Sequence, residues 1–356
     1  MNICIRTDSS IEIGYGHVMR CLTLADALKA ADVKVSFICR ELPGNLKDYI
    51  AQKGYQVSSL SFTEDITSEA DAELTLAILK KIPGSISWLI ADHYGIDAKW
   101  ESILRNHVKK IMVIDDLANR HHECDLILDQ NYYPDMEQRY SNLLPTSCQK
   151  LLGPGYALLR IEFIQARKKL SQKDGNVHRI LISFGGSDIT NETEKTLLAL
   201  QMLARPNVHL DVVVGKANPH KHTIKRICSE SPNVTFHHQI SNIAELMLQA
   251  DLAIGGGGTS TWERCFLGLP TLTMITADNQ IETTEALAKV GVIWNLGLAT
   301  MVTPESLLKV LQKIMGEPHL VREKSLAALK IMGLTNTGQK ASHQYAASDL
   351  ANLLVQ

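Results

Sequence analysis

Apolar residues follow two alternating rhythms along this chain. Short, nearly continuous apolar runs give way to stretches in which apolar positions return every three or four residues, the marks of buried strands and amphipathic helices. Asn2 to Ile5 reads as a first buried strand. Val18, Leu22, Leu24, Ala25 and Leu28 predict a helix from about His17 to Ala31. Val33 to Cys39 is the next strand, Pro43-Gly44 breaks the chain before a helix reaching about Lys53, and Tyr55 to Leu60 is a weaker strand. Ser68 to Lys81 is helical and stops at Pro83-Gly84. Trp88 to Ala91, Lys110 to Ile114 and Leu126 to Leu128 continue the strand series. Polar residues gather directly after these runs: Asp92-His93-Tyr94-Gly95, Asp115-Asp116 and Asp129-Gln130-Asn131-Tyr132. Strands alternating with helices predict an α/β fold, a parallel sheet with helices on both faces. Such sheets bind ligands beyond the C-terminal ends of their strands.

From Tyr156 to Val177 the pattern changes to a helical and then basic, polar stretch, read as a bridge with a solvated charged face. At His178 the alternation restarts. Arg179 to Phe184, His209 to Val214, Val234 to His237, Leu252 to Ile254, Thr271 to Ile275 and Val292 to Leu296 are the predicted strands. Among the helices between them, one opens near Asn191, one is capped by Asn242 or Ser241, and one spans Asp278 to Val290. Pro304 to the end reads as almost wholly helical. The expected organisation is two similar α/β halves facing each other, 1–155 and 178–335, joined by 156–177. A C-terminal helix over 336–356 could return to the first half.

Two polar loops stand out. The first, Arg6 to Arg20, lies between a strand and a helix and carries Asp8, Ser9, Ser10, Gly14, Tyr15, Gly16 and His17. The first N–H groups of a helix are unpaired, so such a loop builds ligand sites. His17 falls at the helix start, where the dipole disfavours the cation and suits a general base. The second is Gly255-Gly256-Gly257-Gly258-Thr259-Ser260-Thr261, whose glycines would let the backbone approach a diphosphate held by helix N–H groups. It matches neither the Walker loop nor the dinucleotide fingerprint in its usual place. Glu263, one turn on, is either a ribose ligand or a favourable charge near the helix start. Gly185-Gly186-Ser187-Asp188 is a second glycine turn that could close on the same phosphates, and Asn279-Gln280 are either helix-start residues or ligand contacts. Asp115-Asp116 is read as a capped turn and not a metal site, and the adjacent pairs His121-His122 and His237-His238 are poor metal ligands. No G-x-S-x-G element is present.

Composition narrows this reading. Over 356 residues, hydrophobic content is 45% and the net charge −2, which gives no electrostatic case for nucleic acid or an anionic membrane. No apolar run approaches a membrane span and no signal pattern opens the chain, so a cytoplasmic location is expected. The seven cysteines, Cys4, Cys21, Cys39, Cys124, Cys148, Cys228 and Cys265, are irregularly spaced and fall mostly in apolar stretches. They are expected to be reduced, buried thiols.

The segments RTDSSIEIGYGHVMRCLTLADAL, ADHYGID, IDDLANRHHECDLILDQN, LLGPGYALLR, ISFGGSD and GGGGTSTWERCFLGLPTLT resemble the UDP-2,4-diacetamido-2,4,6-trideoxy-β-L-altropyranose hydrolase family of pseudaminic acid biosynthesis. The resemblance runs from the chain start to about Val290. It implies a glycosyltransferase-B-like fold, two Rossmann-like domains facing a cleft, with a helical C-terminal tail. It also implies a catalytic His17, sugar contacts from Asp8, Tyr94 and Asn279, diphosphate contacts from Gly186, Ser187, Gly256, Gly257, Gly258, Thr259 and Ser260, and a ribose contact from Glu263. In this family water attacks the anomeric carbon and releases UDP with inversion, without metal or organic cofactor. The partners implied are the UDP-diacetamido-trideoxy sugar and water, with flagellin or a surface polysaccharide as the product's destination. A glycosyltransferase of the same fold, such as the family of the peptidoglycan N-acetylglucosaminyltransferase, shares the glycine loop and glutamate logic and stays open as an alternative, as does a non-hydrolytic sugar-nucleotide binder.

Overall fold

The computed structural model describes residues 1–61, 66–171, 173–238, 240, 242–334 and 347–356. They form two compact units: residues 1–160 with the C-terminal helix Ala347–Val355, and a second unit beginning at Ile161. Residues 336–346 of the expected closing helix, and Ser241, lie outside the described residues.

The first unit holds β1 (Asn2–Thr7), β2 (Lys34–Arg40), β3 (Gln56–Leu60), β4 (Ile86–Asp92), β5 (Val108–Ile114), β6 (Leu126–Asp129) and β7 (Gln149–Leu152) in the order β3-β2-β1-β4-β5-β6-β7. Every pairing is parallel. Both faces are therefore covered, which is why the strands read as continuous apolar runs. Side chains alternate between two layers. Ile3, Ile5, Trp88 and Ile90 pack with Val18, Leu22 and Leu24 of the opening helix Gly16–Ala30, while Cys4, Leu89, Ala91 and Ile111 pack with Trp100 and Leu104. The C-terminal helix completes the first layer with Leu350 and Leu354, each burial stabilising by about 1.5–3 kcal/mol. The carbonyl of Leu354 accepts the Trp88 indole N–H at 2.9 Å, satisfying the polar end of a buried ring.

The second unit holds β8 (Arg179–Ser183), β9 (His209–Val214), β10 (Val234–His238), β11 (Leu252–Gly256), β12 (Thr271–Ile275) and β13 (Trp294–Leu298), again parallel, in the order β10-β9-β8-β11-β12-β13.

Each sheet reverses its strand order once, between β1 and β4 in the first unit and between β8 and β11 in the second. Helices leaving two such strands diverge to opposite faces and open a crevice beyond the strand ends. Register decides what lines each crevice. Thr7 pairs with Asp92, and Ile114 with Leu128, so Asp8, His93, Asp115 and Asp129 follow at one edge. Gly255 pairs with Ser183, so the two glycine turns of the second unit leave side by side.

Four local features differ from the sequence pattern. β7 is a short edge strand with only two buried positions, too few to signal itself. β11 continues past Ile254 to Gly256, because Gly255 and Gly256 stay paired with Thr273 and Met274. Val292 and Ile293 are buried ahead of β13, which starts at Trp294. Asp278–Gln280 forms a 3-10 turn before the helix Ile281–Lys289. All seven cysteines are free and buried. Among the described residues no helix is long and apolar enough to cross a membrane.

Candidate active site

In the first unit the loop after β1 folds back on itself. Gly14, at φ +79°, donates to the Ser10 carbonyl at 2.9 Å, and the Ser10 hydroxyl accepts from the N–H groups of Glu12 and Ile13. The turn delivers His17 as the second residue of the opening helix, 8% exposed. Its Nδ1 lies 2.6 Å from Oδ1 of Asp92, the fully buried last residue of β4. Arg20, one turn further, donates from Nε and Nη2 to the two Asp92 oxygens at 2.7 Å each, and from Nη1 to both oxygens of Asp116 at 2.9 and 3.0 Å. Burial by itself would raise the Asp92 pKa, but Arg20 and His17 overrule it and hold the carboxyl well below the usual carboxylate range.

An ionised Asp92 accepts only, so the 2.6 Å contact assigns the proton of His17 to Nδ1 and leaves the Nε2 lone pair for chemistry. Arg20 Nη2 also lies 3.2 Å from Nδ1, yet a nitrogen that donates to Asp92 has no lone pair for it. The feature that orients His17 is thus a carboxylate from another strand, a partner that the helix-start argument does not contain. The edge of Tyr94 packs on the imidazole at 4.5 Å, and its hydroxyl donates to Asp116 at 3.1 Å.

Asp8, expected at the sugar, is 1% exposed and its oxygens are occupied. It accepts from Arg6 Nη1 (2.5 Å) and Nη2 (2.9 Å) and from the Arg40 N–H (2.7 Å), and His93 Nε2 lies at 3.2 Å. Arg6 is shared with Asp71 of the helix Ser68–Leu79. His93 Nδ1 accepts the Gly95 N–H at 2.9 Å, which leaves its Nε2–H for Asp8.

Asp115 caps its own turn by accepting the Ala118 N–H at 2.8 Å, and also pairs with Arg120. Asp129 is buried beside Asp116; desolvation and then that neighbouring charge push its pKa up to about 7. The histidine pairs engage carboxylates one residue at a time, His122 with Glu101 and His237 with Asp211. Among the described residues no group of three or more His, Cys, Asp or Glu side chains could hold a metal ion.

In the second unit, Gly185 adopts φ +83° with open space beside it, and Gly186 packs against Gly215, where a Cβ would meet the Gly186 carbonyl at 2.3 Å. Ser187 is half-buried. Asp188 caps the helix Glu192–Leu203, accepting from the N–H groups of Glu192 and Thr193 at 2.9 and 3.1 Å. That helix start is already occupied by a carboxylate.

The turn after β11 is different. None of Gly255 to Gly258 needs a left-handed backbone, and two serve the chain's own packing. A Cβ at Gly255 would meet the Ser183 carbonyl at 2.3 Å, and one at Gly257 the Thr284 hydroxyl at 2.5 Å. Gly258 alone of the four has no neighbour nearer than 3.8 Å. The helix Ser260–Phe266 follows without a side-chain cap, and among the described residues the N–H groups of Gly258, Thr259 and Ser260 take no acceptor. Three adjacent free donors suit a phosphate. Gln280 braces this turn, its Oε1 accepting from Gly257 N, Thr276 N and the Thr276 hydroxyl at 3.1–3.2 Å. Glu263 is half-buried in the first turn of the helix, and Asn279 is exposed after β12. Arg264, buried under the same turn, carries no signal in the sequence pattern; neither does the Arg6–Asp71 pair, whose partners are far apart along the chain.

Residues 180–344 match the glycosyltransferase family 28 C-terminal domain. The chain is similar to the crystal structure of Acinetobacter baumannii MurG, with a TM-score of 0.67 and 99% of both chains covered at 14% identity. The class is therefore a glycosyltransferase-B-like fold of two Rossmann-like, parallel-sheet domains. The UDP-2,4-diacetamido-2,4,6-trideoxy-beta-L-altropyranose hydrolase of Campylobacter jejuni is 31% identical over 294 residues, 82% of this chain and 97% of that protein. The spore coat polysaccharide biosynthesis protein SpsG of Bacillus subtilis is 27% identical over 322 residues, 88% of this chain and 89% of its own. The chain belongs to the UDP-2,4-diacetamido-2,4,6-trideoxy-β-L-altropyranose hydrolase family.

Proposed function

We propose that the protein hydrolyses UDP-2,4-diacetamido-2,4,6-trideoxy-β-L-altropyranose in pseudaminic acid biosynthesis. Water adds to C1 of the sugar, the C1–O bond to UDP breaks, and the configuration at C1 inverts. One water proton passes to His17 Nε2, and UDP leaves with the bridging oxygen. The observation that carries this reading is the His17–Asp92 pair at 2.6 Å, which leaves one imidazole nitrogen free to accept a proton. UDP is a good leaving group once its charge is met by fixed donors. The N–H groups of Gly258, Thr259 and Ser260 are the donors proposed for it, with Gly256, Gly257, Gly186 and Ser187 alongside, and Glu263 takes the ribose. Tyr94 and Asn279 contact the sugar, and Asp8 contributes by fixing His93. The name of the Campylobacter relative supports the same substrate.

The test is incubation with the UDP-sugar in H2(18)O, without any acceptor. Release of UDP with the label on the free sugar, and an inverted anomeric signal by NMR, is the expected result. Label in UDP would mean attack at phosphorus and overturn the mechanism. The match to a glycosyltransferase C-terminal domain favours a second reading, transfer of the sugar to an acceptor; turnover only when an acceptor is supplied would establish it.

A further inference from the structure

The three most informative buried arginines of this protein are treated differently. Arg6 lies between Asp8 and Asp71, and Arg20 between Asp92 and Asp116. Arg264 is just as buried, at 2% exposure, and among the described residues it pairs with no carboxylate. Its Nη1 donates to the Ser260 hydroxyl at 3.1 Å, and its Nη2 to the Gly256 carbonyl at 2.7 Å and the Thr261 hydroxyl at 3.1 Å. Its Nε is buried with no hydrogen-bond partner. Room for the guanidinium comes from Gly255, where a Cβ would lie 3.1 Å from Nη1. Leaving a buried ion without a paired counterion is strongly unfavourable; burial lowers the Arg264 pKa to about 10 against a smaller opposing pull that includes the neighbouring Glu263 carboxylate, so it is still charged at neutral pH.

Its contacts show what the charge can do. Arg264 holds the Gly256 carbonyl on the protein side of the turn with a hydrogen bond from Nη2. It also occupies an acceptor position on the Ser260 hydroxyl, whose own proton then remains to be donated. Both effects leave the turn presenting donors. We infer that Arg264 is the positioning residue for a nucleoside diphosphate at this turn: it orients Gly256 and Ser260 and supplies the buried positive charge that the bound diphosphate neutralises. The inference rests on the reading of the second unit as the UDP-binding one.

Titration calorimetry of the wild type, Arg264→Met and Arg264→Lys with UDP and with uridine tests it, alongside the thermal midpoint of each unliganded protein. Arg264→Met is expected to weaken UDP binding by about 10–100-fold, the worth of hydrogen bonds involving a charged group, while uridine affinity stays within about twofold. Its unliganded midpoint should hold or rise, because an uncompensated buried charge has gone. Arg264→Lys should fall between the two. Equal losses for UDP and uridine, or unchanged UDP binding in Arg264→Met, would overturn the inference while leaving the UDP reading standing. A wild type that binds neither ligand would remove both. If Arg264→Met does not fold, Ser260→Ala gives the same comparison through the hydroxyl, and an unchanged preference for UDP over uridine there would count against the proposal.

Discussion

The crevice of the first unit and the glycine turn of the second handle buried charge in opposite ways. In the first unit two buried arginines are matched by carboxylates: Asp92 and Asp116 hold Arg20, and Asp8 and Asp71 hold Arg6. On the proposed function this frame aims His17, since a base acts only when its lone pair points at the proton it removes. Under the glycine turn the cation Arg264 has neutral oxygens for partners and free N–H donors above it. The carboxylate that bears on it is that of the neighbouring, half-buried Glu263, which acts at a distance and not as an ion pair. On the proposed function, the contrast separates a group oriented before substrate binds from a surface completed by the substrate itself.

The sharpest way to break the comparison is at His17. His17→Ala should lower kcat by about 10²–10⁴-fold while UDP affinity is retained, read from UDP release and from titration. Near-normal turnover would remove His17 from the chemistry and leave the frame around it without a purpose. Asp92→Asn comes next. It leaves Arg20 with one carboxylate and lets the imidazole take either tautomer, so both turnover and stability should fall, the latter by about 3–5 kcal/mol in denaturant unfolding. Full activity in Asp92→Asn would mean that His17 needs no aiming.

The paired carboxylates also set an acid limit. Asp8 and Asp92 are buried, which raises their pKa, but their arginine partners outweigh this and hold both below the unfolded value of about 3.9. Their stabilisation is therefore present in full above that value and is lost as pH falls further, toward the folded pKa, because the unfolded chain then binds more protons. Thermal midpoints measured from neutral pH downward should drop below about pH 4, and Asp92→Asn should flatten that drop.

Smaller effects refine the contrast. Glu263→Ala should weaken UDP binding by about tenfold, a loss of uniform binding energy that leaves kcat at saturation in place. A change in kcat alone would argue against a ribose contact. Asp129 tests a carboxyl that burial and Asp116 keep from ionising. Its folded pKa of about 7 stands above the unfolded value, so stability falls as pH rises between about 4 and 7. Asp129→Asn should raise the unfolding free energy at pH 8 by on the order of 1 kcal/mol and change it little below about pH 4. An equal gain at both pH values would show that Asp129 is not protonated in the folded protein.

Much of this was legible in the chain. The alternation of apolar runs and helical periods marked almost every strand of both sheets, because parallel strands buried on both faces must be continuously apolar. The polar residues after each run and the glycine turn before Thr259 fall at the C-terminal ends of the strands, where the proposed function puts its ligand contacts. His17 stood out at its helix start. What the chain did not reveal is of another kind. β7 contributes two buried side chains at a sheet edge and leaves no periodic trace. The four glycines read as one ligand-binding run, whereas packing against Ser183 and Thr284 accounts for two of them.

The partners of the charged groups were settled only in three dimensions. His17 and Asp92 are 75 positions apart and meet because β1 and β4 are neighbours. Arg6 and Asp71 are 65 apart and join a strand to a helix. A hydrophobic pattern records which side of an element is buried; it carries no information on which strand lies beside which, and ion pairs follow strand order. Arg264 is the clearest case. By sequence it is an ordinary helical arginine after Glu263. Its burial, its empty Nε and its lack of a carboxylate arise from how the turn folds over it. The sequence determined where the two polar loops lie, and the tertiary structure decided that the arginines at one are matched by carboxylates while Arg264 under the other is held by neutral oxygens.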